Sequence, residues 1–328
     1  MKHLAACLAA LTLATPIWAD VDQALQRHIL PGFEGFADAA QALQKTAAQD
    51  CRADAVAPAY QTTFDAWMTI ADLRLGPSET GALSIAFWPD KRGFTQRSLS
   101  QFIADQDPAA FDPALYSQVS IAARGLFALE MLIFDPDFAD YGPDSYSCAL
   151  VRAVSVDLAD QAVALDQAWQ QDFAATLRSA GAPGNTTYLD QSEALRALYT
   201  QLLSGLEFTA DQRLGRPMGT FQQPRPSRAE AWRSGRSLRN VLLSVDAAQA
   251  LAHRLTDADL PETDAAAARI HALAERIDDP GFQNLTQPQA RLHAEQVQQA
   301  VRAMQEAIEA EIGTPLGIAV GFNSQDGD

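Results

Sequence analysis

A phrase written twice constrains this chain more than any other feature. ADLRLGP at Ala71–Pro77 returns as ADQRLGRP at Ala210–Pro217, and its Ala, Asp, Arg, Leu and Gly keep one spacing, the 139 positions from Asp72 to Asp211. The tripeptide RSL at Arg97–Leu99 returns at Arg236–Leu238 with the same spacing. Self-similarity at a fixed distance points to duplicated structural units. A chain of 328 residues has room for two such units, each burying its own core.

The apolar residues follow a helical period. Leu150, Val154, Leu158, Leu165, Trp169, Phe173 and Leu177 form one stripe, and Leu238, Val241, Leu242, Val245 and Leu255 form another. Ala and Gln fill the positions between, and period-two runs of Val, Ile and Thr are scarce. The expected fold is all-α: two similar helical bundles related by a pseudo-twofold duplication. SAGAPGNTTYLD (Ser179–Asp190) is the clearest break. It suggests an N-terminal bundle over 20–180 and a C-terminal bundle over 181–328. Within the repeated phrase, Leu-Gly followed by Pro reads as a helix stop, with Gly in the left-handed cap and Pro preventing continuation. Asp and Arg two positions apart do not share a helical face, so each should seek partners elsewhere. Two readings follow for Asp72, Arg74, Asp211 and Arg213: surface charges on a structural terminator, or charges that meet where the two bundles do.

Residues 1–19 read as an export signal: a basic start at Lys2 and His3, an apolar run Leu4–Leu13, and Ala19 before a cut at Asp20. Cys7 leaves too short an apolar run before it for lipidation. No later stretch approaches the ~20 apolar residues of a membrane span, so the expected location is the periplasm or cell envelope. Export leaves Cys51 and Cys148, an even pair that favours a disulfide in an oxidising compartment. The net charge of −17 repels nucleic acid and gathers cations.

GLFALEMLIFD (Gly125–Asp135) buries a carboxylate in an apolar helix. Glu130 therefore needs either an arginine, such as Arg124, or a bound cation. The chain has no G-x-S-x-G, no H-E-x-x-H and no C-x-x-C-H. His271 and Glu275 stand one turn apart and read as an exposed pair rather than a metal site. His28 is a lone candidate ligand near the mature start. The tail brings Asp326 and other hard oxygens without calcium-loop spacing.

HILPGFEGFADAAQAL, WMTIADLRLGP, FWPDKRG, GLFALEMLIFD, GLEFTADQRLGRPMG, EAWRSGRSLRN and GIAVGFNSQDGD together resemble the imelysin family, also called iron-regulated protein A-like, across nearly the whole mature chain. The resemblance implies two four-helix-type bundles, a functional site between them, an envelope location and a part in iron acquisition. It also implies a metallopeptidase classification resting on G-x-H-x-x-E, where His and Glu share one helix face. Here Gly125 and Glu130 match that motif and Phe127 stands in place of the histidine. A phenyl ring neither ligates a metal nor transfers a proton. The expected function is thus a non-catalytic protein that assists iron uptake by binding iron or an iron-linked ligand between the bundles, alongside other envelope iron-transport proteins. Glu130, Asp72, Arg74, Asp211, Arg213 and Asp326 are its candidate residues, Glu130 and His28 its candidate metal ligands. The alternatives are a zinc-dependent metallopeptidase with a histidine such as His28 replacing Phe127, or an envelope scaffold without a small ligand.

Overall fold

The apolar stripes become long helices, and side chains at their ends set where they start. In the computed structural model, which describes residues 21–318, helix α1 runs through Val21–Ala24, a π-helical turn Leu25–Ile29, and Leu30–Gln49. Helices α2 (Ala53–Met68), α3 (Ser78–Ile85), α4 (Phe94–Asp105) and α5 (Gly125–Phe134) follow. Helix α6 (Tyr146–Ala168) starts where the Ser145 hydroxyl accepts the Cys148 N–H, and it extends through a π turn to Arg178. Helix α7 (Gln191–Phe208) starts where the Asp190 carboxylate accepts the Glu193 N–H. Then come α8 (Ser237–Leu255), α9 (Pro261–Ala274) and α10 (Pro288–Ile308). Among the described residues there is no strand, and no helix is long and apolar enough to cross a membrane.

Packing sorts the long helices into two rings. In the first, α1 packs on α2, α2 on α5, α5 on α6, and α6 back on α1. In the second, α7 packs on α8, α8 on α9, α9 on α10, and α10 back on α7. The predicted stripe on α6 is buried at Leu150, Val154, Leu158, Leu165, Trp169 and Leu177. Cys51 and Cys148 form a disulfide that ties the α1–α2 corner to the start of α6. The loop 179–190 joins the rings. The first turns of α1, however, lie against α8 and α7 of the second ring, and α2 packs on α8. The chain's start is therefore shared between both halves.

The helix-stop reading holds in neither copy as expected. In the first copy α2 has already ended at Met68, and Gly76, left-handed at φ 55°, lies just ahead of α3. In the second, α7 continues past Phe208 as a π-helical turn, Thr209–Gly215, and then through Arg216–Met218, so the turn is left only at Gly219. Pro217 is tolerated because it sits in the first turn of that last segment, where no N–H is needed. The wider turn rotates Arg213 inward, and π insertions are frequent at functional sites.

Candidate functional site

Between the rings runs a connected polar seam. Arg213, only 2% exposed, reaches Asp72 Oδ1 at 3.2 Å and Glu230 Oε2 at 2.9 Å. It also donates to the hydroxyls of Thr209 at 2.8 Å and Ser244 at 3.2 Å. Ser244 donates to Asp72 Oδ2 at 2.5 Å, and Asn240 donates to Glu230 at 3.0 Å. Arg236, buried against the Phe64 ring, continues the line through Asn240 at 2.9 Å and Asp65 at 2.7 Å. Burial disfavours charge on Arg213, yet Asp72 and Glu230 hold its pKa above the usual value. A buried cation so fully matched is a structural clamp: one aspartate from the first copy of the phrase meets one arginine from the second.

Of the other two charges of the repeat, Arg74 lies beside the clamp, with Asp72, Arg213 and Glu230 as its charged neighbours, and Asp211 lies away from it. Asp211 faces outward and pairs with Arg302 at 2.7 Å, both about half exposed. The longer π turn puts it on the opposite side from Arg213. Arg74 donates to its own turn at Ala71 O and lies over Trp67, 5.9 Å from the ring centroid. Burial lowers its pKa despite the nearby Asp72. Arg97 stays at the surface over Phe94, whereas Arg236 is buried. Of the four phrase charges expected to line one site, Asp72, Arg74 and Arg213 gather at the seam, with one ion pair among them, and Asp211 does not. Asp326 and the export signal lie outside the described residues.

Glu130 belongs to a second part of the seam. Gly125 opens α5 with φ 69°, and a Cβ there would meet Ile85 O at 2.2 Å, so only glycine brings α5 this close to the end of α3. One turn on, Glu130 is 3% exposed and accepts both the N–H and the hydroxyl of Ser234 at 3.0 Å. Arg124 does not reach it, pairing instead with Asp157 at 2.7 Å. Burial raises the Glu130 pKa, outweighing the Ser234 bonds and Arg233. Arg233 is itself paired to Asp135 and lies 4.6 Å over Trp232.

Glu130 and Phe127 line a cavity of about 180 Å³ between the first ring and the α7–α8 connection. Its lining includes Trp88 and Phe127, stacked with centroids 6.4 Å apart, and Trp232. Asp90 on the wall is held ionised by the backbone N–H groups of Thr95 and Arg92, burial notwithstanding. Arg216, Arg228 and Arg233 complete the lining. Arg216 and Arg228 were not expected from the sequence. The signal was present: seven arginines and a single acid, Glu230, lie between 213 and 239 of a chain whose net charge is −17.

His28 faces a different cavity, beside Asp72, Gln201 and Ser244. Burial, reinforced by Arg254, lowers its pKa to about 4. It does not stand in for Phe127. Among the described residues no group of three or more His, Cys, Asp or Glu is placed to hold a metal, so the donor set does not fit a resident zinc. His271 bonds Asp246 at 2.6 Å rather than Glu275.

Twin helical rings with a buried clamp and a polar cavity between them define an all-helical double-bundle class. The imelysin family model matches residues 29–308, and the chain belongs to the imelysin family. A crystal structure of an imelysin-like protein from Psychrobacter arcticum 273-4 superposes with TM-score 0.76 at 17% identity, over 94% of this chain and 100% of that one. A structure assigned as an iron-regulated protein A precursor from Parabacteroides distasonis ATCC 8503 gives TM-score 0.65 at 14% identity, over 88% and 94%. No curated protein matches the chain.

Proposed function

We propose that this chain is an exported, non-catalytic imelysin-family protein of the periplasm that assists iron uptake by holding iron, or an iron-linked ligand, in the cavity at Glu130. One observation carries the reading: a carboxylate buried in the wall of an inter-ring cavity is stabilised by Ser234 rather than by a direct arginine pair. Lining the cavity, the carboxylate suits a hard cation brought with oxygen ligands of its own. The name of the Parabacteroides relative supports the iron context. The two rings, each closing in chain order, support an origin by duplication, with the joint at the loop 179–190.

The test is iron retention by chain purified without a histidine tag and loaded with ferric citrate. About one iron per chain should survive desalting, and Glu130→Gln should lose most of it. Equal iron in both proteins would sink the carboxylate site. Osmotic-shock release of the native protein tests the location.

A further inference from the structure

The cavity mouth holds two arginines that the fold leaves unmatched. Arg216 donates only to Gln212 Oε1 at a long 3.4 Å, and its Nε is buried without a partner. Arg228 makes no side-chain hydrogen bond or ion pair among the described residues. Among their neighbours in the 213–239 run, Arg213 is paired to Asp72 and Glu230, Arg236 to Asp65 and Arg233 to Asp135. Burial lowers the Arg216 pKa, and its neighbour Arg228 lowers it further. The partly buried Arg216 beside a second cation, the exposed Arg228, costs stability that a bound anion would return.

We propose that the cavity takes a small organic polycarboxylate, its carboxylates gripped by Arg216 and Arg228 and its body lying between Trp88 and Trp232. This rests on the cavity being the ligand site, and it names the ligand's chemistry. At roughly 10–15 Å³ per water-sized position, 180 Å³ holds about 12–18 such positions. That exceeds an inorganic anion and falls well short of a haem. The aromatic walls favour an organic body. Arginine's planar fork matches a carboxylate with two parallel bonds.

Calorimetric titration of the iron-free chain with metal-free citrate, with phthalate, and with inorganic phosphate tests this. Citrate or phthalate should bind at one site, and phosphate should not compete at equal concentration. Arg216→Gln and Arg228→Gln should each weaken binding about tenfold to a hundredfold, the loss of a charge-assisted hydrogen bond. Arg269→Gln, on the exposed face of α9 away from the cavity, should not change it. Neither glutamine variant should melt lower than the parent without ligand, since each removes half of a repulsive pair. No saturable carboxylate binding, binding indifferent to both variants, or stronger phosphate binding would overturn the inference. Iron retained with both arginines neutralised would overturn it while leaving the Glu130 reading intact. Carboxylate binding without iron retention would support it and remove the iron reading instead.

Discussion

Two buried groups at the seam respond to pH with opposite sign. Glu130 has a folded pKa above its ordinary 4.5 because burial disfavours its charge. Above pH 4.5 the folded chain therefore holds a proton more tightly than the unfolded one, and its stability falls as pH rises through the folded pKa. Glu130→Gln keeps an oxygen for Ser234 and removes that cost. Its melting temperature at pH 7 should equal or exceed the parent's, and the advantage should vanish by pH 4.5. His28 runs the other way. Its pKa drops from 6.5 to about 4, so the unfolded chain gains a proton that the folded chain refuses, and stability is lost as pH falls from 6.5 towards 4. His28→Gln should spare about 3 kcal/mol of that acid loss, read from denaturant midpoints at pH 7 and pH 4. Glu130 was legible as a functional candidate because a carboxylate in an apolar helix is conspicuous. Arg216 and Arg228 were harder to see, because an arginine's meaning depends on which acids reach it, and only the fold decides that.

At the scale of elements, apolar periodicity defined the helices, but the π turn at Thr209–Gly215 had no local signal. Its phrase looks like a terminator. What continues the helix is tertiary: Arg213 must turn inward to meet Asp72 and Glu230, and that contact outweighs the local preference of Gly and Pro. The same close approach explains a glycine that helix propensity would reject. Gly205 lies within α7, where a Cβ would stand 2.6 Å from Asp72 Cβ and 2.9 Å from its Cγ. Alanine usually stabilises a helix over glycine. Here the Asp72 backbone would have to retreat, pulling its carboxylate from Arg213. Gly205→Ala should therefore destabilise by about 1–3 kcal/mol, the usual range for overpacking. A urea midpoint above the parent's would show that the seam gives way more easily than this geometry implies.

Over the whole molecule, the question is whether two rings behave as one cooperative unit. Their buried apolar residues form one continuous cluster, whereas the disulfide Cys51–Cys148 spans 97 residues of the first ring alone. Their connection is the shared start of α1, the α2–α8 contact and the clamp centred on Arg213. Arg213→Ala strands Glu230 and Asp72 without their counter-charge, a loss of about 3–5 kcal/mol for a buried pair, and the damage falls on the contact between the rings. The parent chain should unfold in one transition, which a reductant shifts as a whole, because losing a disulfide of this kind costs about 2–5 kcal/mol. Arg213→Ala should split the melt in two, and reductant should then lower only the transition of the first ring. Calorimetry with and without reductant reads both effects. A single transition in the variant, still moved bodily by reductant, would mean that apolar contact between α2 and α8 couples the rings without the clamp. The buried ion pair would then set the register of the halves rather than their cooperativity.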